Sequence, residues 1–466
     1  MSNGIKKLFR PVDMTQGKPW ENIVAFTVPL VIGNIAQQLY NTVDSIVVGK
    51  YVGDNALAAV GSAGPILNLL LVLFIGISVG SSVMVSQYFG AKQREELSST
   101  VGSCITLTAI ASVLIMLLAP FIIRPALEFL KTPDTIIEWC SSYLHILFTG
   151  IAGVAYYNIL SGILRGLGDS VSALIYLLVA TVLNIILDLW FVAGLDMGVA
   201  GVALATAIAQ GVSAVLCLWK LSRMKNIFDL KLVYLKIHKV HAVNIVRLGL
   251  PSGVTQAIFS LAMVIVQSLT NSFGELFIAA NVIVMRVDGF AMMPNFSFGT
   301  TMTTYAGQNV GARDYRRVQQ GAKQGTLIAV GTSTVITALI LLFGRGLMGI
   351  FTNTGELVDL SMRMMCILAA GYIAMAVTQS LSGIMRGAGD TMTPMWISLI
   401  TTVCIRVPLA YGISWLTVTP DLPHGRSECV FVSLLVSWVL GAVITVIFYK
   451  RGKWKMKALG NTGTDK

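Results

Sequence analysis

The chain has 466 residues, of which 55% are hydrophobic and only 12% are charged. Soluble domains carry about 25% charged residues, so this composition excludes a water-soluble enzyme, a disordered chain and a nucleic-acid-binding module. The net charge of +11 must then be explained by where the basic residues lie along a membrane-embedded chain.

Twelve apolar stretches are each long enough to form a membrane-spanning helix. A bilayer core of about 30 Å needs about 20 apolar residues of helix. In chain order, the predicted spans are 22–49, 56–84, 98–120, 138–163, 171–193, 199–219, 243–271, 278–303, 322–344, 360–384, 393–415 and 429–449. Because the apolar runs are continuous rather than alternating, they favour helices over a β-barrel. The sequence therefore predicts an all-α polytopic membrane protein with twelve transmembrane helices.

The basic residues predict how these helices are oriented. With twelve spans, alternate connections share one side of the membrane. The side that holds both termini carries 25 of the 33 Lys and Arg residues, whereas the opposite side carries five. Lys and Arg concentrate in cytoplasmic loops, so we expect both termini in the cytoplasm of a plasma (inner) membrane protein. The positive charge then reflects topology and lipid headgroups, with no nucleic-acid partner.

An internal repeat divides the chain into two halves. The motif SGILRGLGD at Ser161–Asp169 recurs as SGIMRGAGD at Ser382–Asp390, an offset of 221 residues. The same offset aligns Gln87 with Gln308 and Gly150 with Gly371. Six helices per half is an even number, so both halves enter the membrane from the same side. We therefore expect two six-helix bundles related by a pseudo-two-fold axis along the membrane normal, with the substrate in a chamber between them.

The repeat also suggests the domain limits. They are 1–219 for the N-terminal six-helix bundle, 220–243 for a cytoplasmic basic linker, 244–450 for the C-terminal six-helix bundle and 451–466 for a cytoplasmic tail. His238 and His241 lie in or beside the Lys-rich linker, and we expect both to be solvated.

The repeated Arg-Gly-x-Gly-Asp loops contain Arg165, Asp169, Arg386 and Asp390. Glycine permits tight turns, and an acidic residue can cap the next helix. We favour this structural role over direct substrate contact.

Three acidic residues fall well inside the predicted spans: Asp44, Asp188 and Asp288. A charge at the centre of a membrane helix costs at least about 2.5 kcal/mol on insertion scales, so each suggests a function. Asn184 precedes Asp188 by four positions, so both side chains project from one helix face. The candidate cation or proton coupling residues, all in the N-terminal bundle, are Asp44, Asn158, Asn184, Asp188 and Thr206.

This polar cluster has three possible roles. Carboxylate, amide and hydroxyl oxygens suit a small hard cation. Two neighbouring acids in a low dielectric also favour holding a proton. An interhelical hydrogen-bond network that only packs the bundle is the third role. The repeat favours the first two, because offset 221 places Leu409 and Ile265 where the N-terminal bundle has Asp188 and Asp44.

The substrate cavity is less evident from the sequence. Methionine side chains adapt to varied apolar ligands, although they are equally ordinary in a membrane core. Arg286 and Asp288 are two positions apart and do not share a helix face, so we favour neutralisation inside the C-terminal bundle as the role of Asp288. The candidate cavity residues are Met285, Arg286, Asp288, Met292, Gln256 and Arg406.

Several motifs, in this order along the chain, resemble the multidrug and toxic compound extrusion (MATE) family. They are Val43-Asp44-Ser45 before Val48-Gly49, Gln87-Tyr88-Phe89-Gly90-Ala91, Leu164-Arg165-Gly166, Gly249-Leu250-Pro251, Gln308-Asn309-Val310-Gly311-Ala312 and Met385-Arg386-Gly387. The resemblance implies an antiporter that exports organic cations or amphiphilic drugs in exchange for Na⁺ or H⁺. It also implies that Asp44, Asn184, Asp188 and Thr206, with Asn158 nearby, form the cation site. Some members carry a Glu in the seventh span, where this chain has Gln256 and Gln267, which argues against a second coupling site there.

Two other functions remain open. A flippase for a lipid-linked oligosaccharide shares a similar two-bundle architecture, but we would expect more deep cationic residues than Arg286 and Arg406. A receptor or scaffold without transport would not explain the duplicated bundles. We expect no enzyme activity, because no nucleophile–base pair or metal motif is found. We also expect no cofactor apart from Na⁺ or H⁺ as the coupling ion, contact with membrane lipid, and a monomer.

Overall fold

The computed structural model describes residues 12–129 and 132–457, which form helices and no β-sheet. Residues 458–466 of the predicted tail and residues 1–11 lie outside the described part. The helices of the first half are α1 (Pro19–Tyr51), α2 (Asp54–Gly90), α3 (Arg94–Phe129), α4 (Asp134–Thr149), α5 (Ile151–Gly166), α6 (Ser170–Asp188) with a π-helical continuation (Leu189–Gly194), and α7 (Gly198–Arg223).

The second half repeats this order after a short 3₁₀ turn at Leu232–Leu235. Its helices are α8 (Lys239–Ser272), α9 (Glu275–Gly311), α10 (Tyr315–Gly349), α11 (Gly355–Ala369), α12 (Gly371–Gly387), α13 (Met392–Leu399) with a π-helical continuation (Ile400–Arg406) into α14 (Val407–Leu416), and α15 (Cys429–Arg451).

Ten helices or helical runs in the described residues are long and apolar enough to cross a membrane. Two further pairs pass the same test together but are bent, α4 with α5 by 54° and α11 with α12 by 43°. Counting each bent pair as one span gives twelve, which agrees with the predicted spans. The breaks fall at Gly150 and Ala370, so each half bends its fourth span within one residue of the same repeat position.

The repeat is visible in the backbone as well as in the sequence. Helices α2 and α9 begin at Asp54 and Glu275 and have the same length of 37 residues. Lys92 and Arg313, also 221 positions apart, both adopt positive φ angles of 56° and 58°. A left-handed conformation is uncommon for such residues, so its recurrence shows that the turn geometry was duplicated with the helices.

Helix contacts divide the chain into two compact units. The first contains Val28–Gly253, and the second contains Met14–Thr27 together with the chain from Val254 onward. The limits therefore fall inside α1 and α8, next to Pro29 and Pro251. The predicted domain limits in the loops are not tested by this division and stay predictions.

The first half of α8 belongs to the first unit because its glycines let it approach α2. A Cβ atom on Gly249 would lie 2.1 Å from the carbonyl oxygen of Gly76. A Cβ atom on Gly80 would lie 2.2 Å from the carbonyl oxygen of Ile245. Small residues allow this backbone-to-backbone packing, which is typical of membrane helices.

Glycines in the repeated Arg-Gly-x-Gly-Asp loops are also packing positions. A Cβ atom on Gly166 would lie 2.8 Å from the carbonyl oxygen of Ser82, and one on Gly387 would lie 2.2 Å from that of Thr303. The loops thus hold α5 against α2 and α12 against α9 at backbone distance.

The aspartates of these loops cap the helices that follow. Asp169 accepts a hydrogen bond of 2.9 Å from the backbone N–H of Ser172, and Asp390 accepts one of 3.3 Å from that of Thr393. The ammonium of Lys220 lies 3.5 Å from Asp169. Such caps satisfy N–H groups at the first turn of a helix. These contacts give both aspartates a structural role.

The basic linker packs against α3. Arg94 hydrogen-bonds to Asp229 at 3.0 and 3.1 Å, and these bonds lower the pKa of Asp229. Our expectation that His241 is solvated is wrong. Its side chain is buried, 3.0 Å from Glu96 and 3.3 Å from Thr100. The Lys-rich composition of the linker gave no indication that α8 turns this ring into the first unit.

We predict that Gly387→Ala destabilises the protein, because its new methyl group would collide with the backbone of α9. Overpacking of this kind typically costs about 1–3 kcal/mol. Gly331→Ala is the matched control, since a Cβ atom there meets nothing within 4 Å. Alanine favours a helix over glycine by up to about 1 kcal/mol, so this variant should be neutral or slightly stabilised. The thermal stability of both variants is measured in detergent, with size-exclusion chromatography to quantify the folded protein that remains after heating. Equal stability of the two variants would contradict the packing at Gly387.

Candidate functional site

A polar cluster lies inside the first unit, where α1, α6 and α7 meet. Asp44 comes from α1, Asn184 and Asp188 from α6, and Thr206 from α7. Asn184 and Asp188 are completely buried, and Asp44 is partly buried. The structure thus brings together four of the five predicted coupling residues.

The fifth, Asn158, is in a different hydrogen-bond environment. Its side-chain nitrogen donates to the backbone oxygen of Val154, one turn earlier in its own helix, at 2.8 Å. Its backbone oxygen accepts a hydrogen bond of 2.8 Å from Ser78 on α2. These contacts tie Asn158 to α5 and α2.

Asn184 bridges the two carboxylates. When its amide nitrogen faces them, it donates to Asp44 Oδ1 at 2.8 Å and to Asp188 Oδ2 at 3.1 Å. In this orientation the amide oxygen of Asn184 lies 3.5 Å from Thr206 Oγ1. Thr206 also accepts a hydrogen bond of 3.1 Å from the hydroxyl of Tyr40. The cluster is therefore a connected network with both acids at its centre.

The two acids are close neighbours, since one amide nitrogen of Asn184 reaches both of them. In the described part of the chain no Lys, Arg or His offsets their charge. Asp188 Oδ1 is buried without a hydrogen-bond partner among the described residues. Two adjacent unneutralised carboxylates in a low dielectric repel each other strongly, so the site favours taking up a proton or a small cation.

The same residues offer ligands for either ion. A proton on one carboxyl group would form the hydrogen bond between Asp44 and Asp188. The carboxylates and the hydroxyl of Thr206 are hard oxygen donors, which suit Na⁺. Asn184 fits both cases, because turning its amide presents either a donor or an acceptor to the acids.

Two tyrosines complete the site, and sequence analysis did not include them. Tyr40 precedes Asp44 by four positions on α1, so the helical spacing would have placed both on one face. Tyr143 on α4 is buried close to both carboxylates. Its position depends on how α4 packs against the other helices, for which the sequence carries no local signal.

The second unit has a different polar site at its centre. The hydroxyl of Tyr372 donates a hydrogen bond of 3.0 Å to Asp288 Oδ1. Arg406 is close enough to act electrostatically on Asp288. Leu409, Ile405 and Ile265, the offset-221 equivalents of the acidic cluster, are all apolar.

The candidate cavity residues occupy different places. Met285, Arg286 and Arg406 line a cavity of about 350 Å³ within the second unit. Met292 is buried in the hydrophobic core. Gln256 is exposed, away from that cavity.

The two loop arginines are partly buried. The side chains of Arg165 and Arg386 are each partly exposed to solvent. Arg386 lines a smaller cavity of about 60 Å³, where Gln379 and Ser437 also lie.

Within residues 12–129 and 132–457, no group of three or more His, Cys, Asp or Glu side chains is placed to hold a metal ion.

Comparison with known proteins agrees with this architecture. The MatE family model matches the chain twice, over residues 29–190 and 251–412. The chain is 30% identical over 416 residues to the probable multidrug resistance protein YoeA of Bacillus subtilis (strain 168), covering 87% of this chain and 90% of the relative. It is 27% identical over 452 residues to the probable multidrug resistance protein YpnP of the same organism, covering 96% of this chain and 98% of the relative.

A solved structure, "Crystal structure of MATE in complex with MaL6", has the same fold. Its TM-score is 0.87 at 23% identity, covering 97% of this chain and 98% of that chain. Together with the two family matches, which span more than half of the sequence, these similarities show that the chain belongs to the MatE family of multi-helical membrane transporters.

Proposed function

We propose that the protein is a secondary active antiporter that exports organic cations or amphiphilic drugs in exchange for Na⁺ or H⁺. The observation that carries this proposal is the pair of neighbouring carboxylates of Asp188, which is buried, and Asp44, which is partly buried, with no Lys, Arg or His among the described residues to offset their charge. The names of its relatives YoeA and YpnP, probable multidrug resistance proteins, support the choice of substrate class. The protein acts as a carrier and not as an enzyme, and it works as a monomer in the plasma membrane.

The acidic pair couples the ion to transport by changing the shape of its own bundle. Without a bound ion, repulsion between the carboxylates favours a conformation that separates α1 from α6. A proton or Na⁺ removes that repulsion and favours the conformation in which Asn184 bridges both acids. An ion shifts this equilibrium only by its difference in affinity between the two conformations. Drug and ion then alternate because each favours the opposite conformation.

The orientation follows from the Lys and Arg bias. Both termini and the 220–243 linker lie in the cytoplasm, so drugs are taken up from the cytoplasmic side or inner leaflet and released outside. The ion gradient across the plasma membrane is directed inward, which is the direction that antiport requires.

We predict that Asp188→Asn abolishes gradient-driven export while leaving the protein folded. Asparagine keeps the size and hydrogen bonding but removes the charge that an ion must neutralise. Uptake or release of ethidium is measured in proteoliposomes under separately imposed Na⁺ and pH gradients, which also identifies the coupling ion. Asp44→Asn should behave similarly, and the double variant should be little worse than either single one, because the acids act as a unit.

The matched control for this experiment is Asp196→Asn, which removes an exposed carboxylate between α6 and α7. Its φ angle of 53° is in a region that asparagine tolerates well. Export by this variant should equal that of the unmodified protein. Export by Asp188→Asn at the unmodified rate under either gradient would show that the acidic pair does not couple transport.

We predict that Lys231→Cys reacts with a membrane-impermeant maleimide only from the cytoplasmic side. Asn353→Cys, in the exposed loop between α10 and α11, should react only from outside. The background must lack the native cysteines, since Cys366 and Cys404 are exposed. Labelling of intact cells and of inverted vesicles distinguishes the two sides, and the reverse pattern would overturn the orientation.

A further inference from the structure

The cavity of about 350 Å³ in the second unit has no role in the coupling proposed above. Small-molecule pockets typically measure about 300–1,000 Å³, so it can hold a drug-sized group. Its walls combine apolar side chains with several that donate hydrogen bonds. The apolar ones include Met263, Val266 and Leu434, and the donors include Gln267, Asn281, Arg286 and Arg406.

Arg406 is the main polar feature of this cavity. Its Nε is removed from solvent and has no hydrogen-bond partner among the described residues. The nearby acid, Asp288, accepts its hydrogen bond from Tyr372, and no ion pair within 4 Å joins it to Arg406 in the described residues. The side chain as a whole is partly buried, and a buried N–H without an acceptor is costly unless an anion or another acceptor completes it.

The π-helical segment Ile400–Arg406 accounts for the orientation of this side chain. A π-helix winds more slowly than an α-helix, so it displaces later side chains around the helix axis. Ile405 is the sequence equivalent of Asn184 in the first unit, yet the next residue, Arg406, is the one that lines the cavity. The irregular turn thus directs a cationic group inward where regular helix would place isoleucine.

Arg286 adds a second positive charge to the same cavity. Its side chain is exposed and forms no ion pair in the described part of the chain, and Asp288 acts electrostatically with Arg406. The cavity therefore has an excess positive charge, in contrast to the acidic cluster of the first unit. A purely cationic ligand would be repelled here, whereas an anionic group would be attracted.

We propose that this cavity binds the carboxylate of an amphiphilic small molecule. Arg406 and Arg286 hold the carboxylate, with Asn281 as a further donor. Met263, Met285 and Leu434 contact the apolar part of the ligand. Guanidinium groups match the planar geometry of a carboxylate, and the surrounding thioether and aliphatic side chains accept varied apolar shapes. The substrates would accordingly include zwitterionic and anionic amphiphiles in addition to organic cations.

The test compares two fluorescent probes that differ in one charge, dansylglycine and dansylglycinamide. Binding is measured by dansyl fluorescence with the full chain in a neutral detergent, without any ion gradient. We expect dansylglycine to bind about tenfold or more tightly than the amide, as for charge-assisted hydrogen bonds. Arg406→Gln should remove this preference by weakening dansylglycine alone, and Arg406→Lys should retain part of it.

Two controls keep the result specific. Arg363→Gln removes an exposed arginine of α11, 3.9 Å from Glu428, and should leave the preference unchanged. Asp188→Asn should also keep it, so failure of the coupling proposal and failure of this one are distinguishable. Should Arg406→Gln not give a monodisperse protein, Arg286→Gln serves as the second variant and should weaken dansylglycine in the same way.

Three outcomes would overturn the proposal. The first is equal affinity for dansylglycine and its amide in the unmodified protein. The second is a preference for dansylglycine that survives both arginine substitutions. The third comes from dioctanoyl phosphatidylglycerol, added as a competitor. If this lipid binds in an Arg406-dependent manner while dansylglycine does not bind, the cavity holds a lipid headgroup phosphate and not a carboxylate ligand.

Discussion

The proposed mechanism depends on two neighbouring carboxyl groups, Asp44 and Asp188, inside a helical bundle, where no Lys, Arg or His among residues 12–129 and 132–457 offsets their charge. In water such a pair would cost little, but in a buried site its repulsion is strong unless an ion is bound. Asn184 and Thr206 can only mediate between the acids, because amides and hydroxyls carry no charge. In the mechanism that we propose, the occupancy of this site by a proton or Na⁺ would determine how closely α1 and α6 can approach.

The two halves share a backbone plan but differ in their charge. The capping aspartates of the two loops recur at the offset of 221, and the bends at Gly150 and Ala370 recur within one residue of it, so the scaffold was duplicated. The buried polar groups were not duplicated with it. The first unit has a carboxylate pair, and the second has Asp288 with an excess of guanidinium groups around its cavity. This division of charge would let ion coupling and ligand binding be carried out by separate units.

Much of this could be predicted from the sequence. Apolar stretches of sufficient length gave the twelve spans, and the spacing of four positions placed Asn184 and Asp188 on one helix face. The predictions failed where packing between distant segments decides the outcome. His241 is buried because α8 passes beside α3, and the π-helical turn that orients Arg406 has no signature in the local sequence. Gln256 is polar and lies within a span, but these properties do not show which way its helix faces.

The most direct test of the acidic pair as the coupling site is the mutual effect of ion and drug on binding. Linkage requires that each weakens the other by the same factor if they favour opposite conformations. Ethidium affinity is measured in detergent against Na⁺ concentration and against pH, for the unmodified protein, Asp188→Asn and Asp288→Asn. One of the two ions should weaken ethidium binding in the unmodified protein and in Asp288→Asn, and the effect should vanish in Asp188→Asn. If Asp288→Asn removes the effect while Asp188→Asn keeps it, the coupling site lies in the second unit and the account is contradicted.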